Sequence, residues 1–370
     1  MKKEPRIIIS GGGTGGHIFP ALSIANALKK LNSKSEILFV GALGRMEMER
    51  IPAAGYKIIG LPVAGLQRSL SLSNLKLPIL LVRSLIKARR VIKEFNPDVA
   101  VGVGGYASAP LLRMAGKMGI PYIIQEQNSY AGITNRMLAK KASLICVAYP
   151  GMERFFPQEK IVLTGNPVRE NILPVTAQMK ESAKEYFEIG KKDKTILIIG
   201  GSLGSGTLNE SAKKWIKQTP ESDIALIWQC GKYYYNDVTE FNRENPRNFV
   251  RSYEFIKEMD KALAAADVVI SRAGAGTISE LCIAGKAVIF VPSPNVAEDH
   301  QRYNALSLVK RDAALMINDS DAIEQVMESA VNLANNPTEI ERLEKEIQKA
   351  AIFESDTLIA QKTTEIINGL

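Results

Sequence analysis

Arg6–Leu28 reads RIIISGGGTGGHIFPALSIANAL, an apolar, β-branched run that stops at glycines and opens into a helical pattern. Thr195–Ala212, TILIIGGSLGSGTLNESA, repeats the device about half a chain later. A strand ending in glycines lets backbone approach a diphosphate closely, and the following helix offers unpaired N–H groups and the positive end of its dipole. One such turn is weak evidence of a site. Two predict paired nucleotide-type folds facing each other across a cleft, each meeting a phosphorylated group.

Working outward, the first half alternates strand and helix. Strands are expected at Ile7–Ser10, Ile37–Val40, Lys57–Leu61, Val99–Val103, Tyr122–Gln125 and Leu144–Val147, with helices near Pro20–Leu31, Arg45–Ala54, Leu75–Phe95, Ala109–Met118 and Thr134–Lys141. Continuous apolar strands such as VAVGV imply burial on both faces, hence a parallel sheet between helical layers. TILIIG, ALIWQC, ADVVIS and AVIFVP repeat the plan in the second half. Pro157, Pro167 and Pro174 mark an expected linker around residues 160–175. Two domains follow, residues 1–165 and 166–345, with a helical segment over 346–370 whose last helix, near Ser355–Ile367, is expected to pack back on the first domain.

Composition limits the alternatives. With 46% hydrophobic and 23% charged residues, the 370-residue chain reads as a globular protein. Its three cysteines, Cys146, Cys230 and Cys282, lie scattered in apolar contexts and read as reduced core thiols. MKKEPRIIIS runs straight into a strand, so neither a signal peptide nor a spanning helix is expected and a cytoplasmic setting is inferred. The net charge of +8 divides unevenly: residues 1–165 hold 23 Lys+Arg against 9 Asp+Glu, residues 166–370 hold 24 against 30. The basic first half points to a polyanionic partner, an anionic membrane surface or nucleic acid. Aromatic residues make up only 6% of the chain, which argues against nucleic acid.

Gly11, Gly13 and Gly16 satisfy G-x-G-x-x-G, the dinucleotide fingerprint, but that fingerprint needs an acidic residue closing the second strand. Here ILFV ends in Gly41, so the loop is read as binding a diphosphate without its nucleotide. His17 follows at once. Beside a phosphate-binding turn, an imidazole with an intrinsic pKa near ~6.5 can take a proton from a hydroxyl. A third turn, ADVVISRAGAGTISELCIAG (Ala266–Gly285), carries Glu280 inside its helix, placed to accept from both hydroxyls of a ribose while N–H groups around Ala275, Gly276 and Thr277 meet a diphosphate. In PSPNVAEDHQRYNA (Pro292–Ala305), Gln301 and Asn304 can serve sugar hydroxyls. No D-x-D pair or His/Asp cluster stands near these loops, so no metal or cofactor is expected, and Arg169 and Arg272 are candidates to offset the diphosphate charge.

Seven motifs, GGGTGGHIFPAL, GGYASAP, QEQNSYAGITNR, GNPVR, GGSLGS, SRAGAGTISE and EDHQRYNA, occur in order from residue 11 to residue 305, and together they resemble the MurG family of peptidoglycan N-acetylglucosaminyltransferases. The resemblance implies a GT-B fold, two doubly wound Rossmann-like domains. It also implies an inverting hexosyltransferase that moves GlcNAc from UDP-GlcNAc to the MurNAc 4-hydroxyl of undecaprenyl-diphosphate-MurNAc-pentapeptide. Carried over residue by residue, its donor positions fall on Thr14, Gly15, Gly16, Asn128, Arg169, Ser202, Ile256 (beside the uracil), Ala275, Gly276, Thr277, Ile278, Ser279, Glu280 and Gln301. The acceptor diphosphate is expected at Gly13, Gly104, Gly105 and Tyr106, with His17 as the base. SLGS departs slightly from the more usual S-x-G-A, and Gly276 occupies a variable position.

Leu70–Phe95, LSLSNLKLPILLVRSLIKARRVIKEF, carries two apolar stripes. Leu77, Leu81, Leu85, Ala88 and Ile92 are expected to face the core. Ile79, Val82 and Ile86 form a second stripe flanked by Lys76, Arg83, Lys87, Arg89 and Arg90, as in an interfacial patch for anionic lipid. A peripheral enzyme on the cytoplasmic face of the cell membrane is the expectation. A UDP-GlcNAc 2-epimerase would share the two-domain plan and need no such patch.

Overall fold

The computed structural model describes residues 4–13, 15–63, 77–190 and 194–369. They fall into two units, the first holding the chain up to Val168 together with the residues from Phe353 onward, the second Arg169–Ile352. The first unit runs β1 (Arg6–Gly11), α1 (Gly15–Leu31), β2 (Glu36–Ala42), α2 (Glu47–Ala53), β3 (Lys57–Leu61), α3 (Leu77–Phe95), β4 (Val99–Gly104), α4 (Ser108–Lys117), β5 (Tyr122–Glu126), α5 (Ile133–Ala139), β6 (Leu144–Val147) and β7 (Ile161–Leu163). The second runs α6 (Ala177–Tyr186), β8 (Lys194–Ile199), α7 (Gly206–Gln218), β9 (Ile224–Gln229), α8 (Tyr235–Glu244), β10 (Val250–Tyr253), α9 (Met259–Ala265), β11 (Val268–Ser271), α10 (Ala275–Ala284), β12 (Ala287–Phe290), α11 (His300–Val309), β13 (Leu315–Met316), α12 (Ala322–Ala334) and α13 (Pro337–Gln348). The last helix, α14 (Ser355–Ile367), returns to the first unit and packs along α1.

Among the described residues each unit holds one parallel sheet, in the orders β3-β2-β1-β4-β5-β6-β7 and β10-β9-β8-β11-β12-β13. The apolar run of β1 is explained by burial on both sides. Ile8 points into a core with Ala88, Val91, Leu111 and Leu112, while Ile7 and Ile9 point into another with Ile18, Ile24, Ile359 and Ala360. Both orders reverse beside the first strand, between β1 and β4 and between β8 and β11. A crevice opens beyond the carboxyl ends of strands at such a reversal.

Several expectations need correction. The stretch 160–175 is not all linker, because Ile161–Leu163 pairs with β6 as an edge strand. The crossings between units fall at Val168/Arg169 and Ile352/Phe353, so α13 belongs wholly to the second unit. Helix α1 starts at Gly15 rather than Pro20, directly off the glycine loop. The short edge strands β10 and β13 were not anticipated, being four and two residues long. On α3 the buried face is Ser84, Ala88, Val91 and Ile92, whereas Leu81 is half exposed and joins the outward stripe. All three cysteines are buried free thiols. Burial pushes Cys146 and Cys282 up to about 12 and Cys230 up to about 11.

Candidate functional site

At the reversal of the first sheet, the loop after β1 and the loop after β4 interlock. A Cβ on Gly105 would lie 2.3 Å from the Gly12 carbonyl oxygen, and Gly105 has φ +89°. A Cβ on Gly104 would lie 2.5 Å from Cδ2 and 2.7 Å from Nε2 of His17. Only a residue without a side chain admits this approach, so the imidazole from the first turn of α1 lies directly over the β4 loop. His17, Gly13, Gly104, Gly105 and Tyr106, expected to act together, are therefore neighbours, with Tyr106 within 4.0 Å of a Cβ built on Gly13.

Glu47, which the sequence reading did not single out, underlies this loop. It is 1% exposed; Gly13 N–H donates to its Oε2 at 2.8 Å and Ala42 N–H to its Oε1 at 3.0 Å. A Cβ on Gly12 would lie 2.2 Å from Oε1. The carboxylate that a dinucleotide fold places at the end of its second strand thus has a counterpart a few residues later, turned inward to hold the loop. Gly13's N–H is committed to it.

Farther along the same sheet, QEQN forms a buried polar node. Glu126 accepts from Asn128 N–H at 3.0 Å, Gly132 N–H at 3.1 Å and Asn135 Nδ2 at 2.8 Å. Burial raises its pKa above the usual carboxylate range, and these hydrogen bonds oppose the shift. Gln125 donates to Asn166 Oδ1, Asn166 to the Gln127 carbonyl, and Gln127 to the Val103 carbonyl. Asn128, an expected donor contact, is oriented by Glu126.

In the second unit the loops after β8, β9 and β11 converge. Helix α7 is capped by Ser205, whose Oγ accepts from Leu208 N–H. Helix α10 begins at Gly274 with no side-chain cap, so the N–H groups of Ala275, Gly276 and Thr277 have no side-chain acceptor. Deeper in that helix, Ile278 is buried and Ser279 Oγ donates back to the Ala275 carbonyl at 3.1 Å. Glu280 Oε1 lies 3.0 Å from Arg169 Nε, which sets two expected donor residues side by side. Burial raises Glu280, opposed by the charge and backbone N–H of Arg169. Gln301 Oε1 accepts from Ser293 N–H at 2.9 Å, on a loop where Glu298 and Asp299 both take left-handed φ of 55° and 51°. Two consecutive such residues are strained, and strain of this kind concentrates in ligand loops.

Ser202 is exposed on the β8 loop, while Ile256 is buried. Gln229, also missed, connects their segments: its Nε2 donates to the Gly201 carbonyl at 3.2 Å and its Oε1 accepts from Ile256 N–H at 2.9 Å. Both bonds reach across sequence separations of 28 and 27 residues, beyond any local pattern. Arg272, expected to offset the diphosphate charge, is held by several partners. Its guanidinium pairs with Asp319 at 2.6 Å and donates to Ser205 Oγ and to the Val291 and Pro292 carbonyls, so it braces the loops.

Of the remaining expected positions, Gly15 and Gly16 open α1, and Thr14 lies outside the described residues, as does Lys76. On α3, Ile79, Val82 and Ile86 are 63%, 55% and 65% exposed, with Arg83 exposed and Lys87 partly so. Arg90 pairs with Glu94 at 2.7 Å. No helix among the described residues is long and apolar enough to cross a membrane.

Comparison with known proteins draws both units into one family. Residues 7–147 match the glycosyltransferase family 28 N-terminal domain and residues 195–361 its C-terminal domain. A Bacteroides thetaiotaomicron protein named UDP-N-acetylglucosamine--N-acetylmuramyl-(pentapeptide) pyrophosphoryl-undecaprenol N-acetylglucosamine transferase is 55% identical over 372 residues, covering 99% of each chain. A Parabacteroides distasonis protein of the same name is 53% identical over 366 residues, again 99% of each. The crystal structure of Acinetobacter baumannii MurG superposes with a TM-score of 0.78 at 28% identity, covering 98% of this chain and 99% of that one. Two parallel-sheet units of this type, matched along their whole length, place the chain in the GT-B class, and within it the chain belongs to the MurG family of glycosyltransferases.

Proposed function

We propose that this protein is the hexosyltransferase that moves GlcNAc from UDP-GlcNAc to the 4-hydroxyl of MurNAc in undecaprenyl-diphosphate-MurNAc-pentapeptide, the step that completes the lipid-linked disaccharide of peptidoglycan. The observation that carries this reading is family membership from end to end at more than half identity. The unit-by-unit geometry supports the following mechanism.

The donor is held mainly by the second unit. The uncapped first turn of α10 takes the diphosphate on the N–H groups of Ala275, Gly276 and Thr277, where the helix dipole favours negative charge. Glu280, oriented by Arg169, accepts from the ribose hydroxyls; Ile256 borders the uracil; Ser202 and Gln301 serve the phosphate and sugar ends. As the bond from the anomeric carbon to the diphosphate breaks, negative charge grows on UDP, and donors already aimed at it are each worth about 3 kcal/mol.

The acceptor belongs to the first unit. Its diphosphate meets the loops of Gly13, Gly104, Gly105 and Tyr106. His17, seated over Gly104, takes the proton from the attacking hydroxyl, a role worth about 10²–10⁴ in rate. Attack opposite the leaving group inverts the anomeric centre. The prenyl chain brings the enzyme to a bilayer, where Ile79, Val82 and Ile86 enter the interface and Arg83 and Lys87 meet anionic headgroups, which makes it a peripheral protein of the cytoplasmic face. The direct test measures UDP release with and without the lipid acceptor. Release that requires the acceptor and yields a disaccharide lipid supports transfer; acceptor-independent conversion to the manno epimer overturns it.

A further inference from the structure

At the reversal of the first sheet, the loops after β1, β2 and β4 take in residues 10–20, 41–47 and 102–108. They contain a single Lys or Arg, Arg45, and a single carboxylate, Glu47. Glu47 is buried directly under the glycine loop, receives Gly13's N–H, and has no Lys or Arg partner among the described residues. An anionic ligand arriving on the loop therefore meets one fewer free N–H group and a negative charge a few ångströms behind it. Backbone dipoles alone face an adverse field here, and a mobile cation on the outer side is what offsets it.

Arg45 is placed for this. Its backbone is fixed, N–H donating to the Ala42 carbonyl at 3.3 Å and carbonyl accepting from Met48 N–H at 3.0 Å. Its side chain is exposed and pairs with no carboxylate among the described residues. The guanidinium carbon stands 5.9 Å from the centre of the Tyr106 ring, the ring that borders Gly13. A planar guanidinium over an aromatic face keeps its edge N–H groups available, and that edge matches phosphate oxygens in pairs.

We propose that Arg45 is the cation that grips the diphosphate of the lipid acceptor, with Tyr106 as its platform and Glu47 fixing the loop beneath. This rests on the assignment of the acceptor to the first unit. The test uses the full chain and two soluble short-prenyl MurNAc-pentapeptide acceptors, one with a diphosphate and one with a monophosphate. With the diphosphate acceptor, Arg45→Ala should raise the acceptor KM about tenfold or more and leave the UDP-GlcNAc KM within about twofold, while Arg45→Lys, which keeps the charge but not the planar paired N–H edge, recovers only part of the loss. With the monophosphate acceptor the alanine penalty should shrink to about threefold or less. Thermal midpoints should match, since the side chain is exposed. An unchanged acceptor KM, or equal penalties on the two acceptors, overturns the role of Arg45. A rise in the UDP-GlcNAc KM alone overturns it too, and locates the failure in the assignment of donor and acceptor to their units.

Discussion

Gln229→Ala tests whether the two loops of the second unit that carry Ser202 and Ile256 are held as one piece. The side chain is 2% exposed and makes two hydrogen bonds, at 3.2 Å to the Gly201 carbonyl and 2.9 Å from Ile256 N–H. Truncation leaves Ile256 N–H buried without a partner, at about 1–3 kcal/mol, while the partly exposed Gly201 carbonyl can turn to water and loses about 1 kcal/mol. The total, about 2–4 kcal/mol, divides between folding and ligand binding, because UDP can bind only after both loops are ordered again. If about 1.4 kcal/mol appears in binding, the dissociation constant of UDP rises about tenfold. The rest lowers the melting midpoint by about 2–4 °C per kcal/mol for a unit of this size. Calorimetric titration with UDP and a thermal melt read the two shares separately. Gln229→Met, similar in volume but without the hydrogen bonds, should bind UDP as poorly as alanine. Near wild-type affinity in the methionine variant would refute the reasoning and leave Gln229 a space-filling residue.

His17→Ala should lower kcat at least about tenfold while UDP affinity stays nearly intact, since the ring lies over the β4 loop of the first unit; unchanged turnover removes it from the mechanism. Glu280, raised above the usual carboxylate range by burial, protonates at a higher pH than an ordinary glutamate and then loses its hold on Arg169 and on hydroxyls. The KM for UDP-GlcNAc should therefore climb as pH falls through that raised value, and Glu280→Gln should show a high KM with no such limb. The linkage to folding has the opposite sign: the protonated form is favoured in the folded state, so this group's contribution to stability is present at acid pH and lost as pH rises through the raised pKa, a dependence that a pH series of melts should find weakened in Glu280→Gln. For the α3 patch, Ile79→Glu/Val82→Glu should lose binding to vesicles containing anionic phospholipid at low salt, as sedimentation would read, with transfer to a soluble acceptor preserved; binding equal to wild type excludes the patch.

Much of this architecture was legible because the strands of both sheets are apolar on two faces. RIIIS and TILII announce themselves, and their glycine ends mark the reversals where the loops meet. What stayed hidden was decided by distant partners. A two-residue strand such as β13 has too few residues to show any period. Leu81 fits the core stripe by spacing, yet the neighbouring helix leaves it uncovered. Glu47 and Gln229 look like ordinary polar residues, and only the fold shows that each accepts a backbone N–H from a loop.

The helix starts nonetheless held a usable signal about which turn is left open for the proposed diphosphate. Both GGSLGSG and SRAGAGT end a strand and open a helix, and by the glycine pattern alone they are equivalent. They differ at the residue before the helix. Ser205 caps α7 with its own hydroxyl, taking Leu208 N–H and in turn receiving a bond from Arg272, so the start of that helix is already partly satisfied and braced. Gly274 has no side chain to offer, and the first turn of α10 keeps its N–H groups for a ligand. A serine cap reads as a helix closed by its own chain and a glycine cap as one left for an anion. In the first unit Glu47 takes an N–H from the glycine loop, and a loop deprived of a donor gains from a nearby cation, the part proposed above for Arg45.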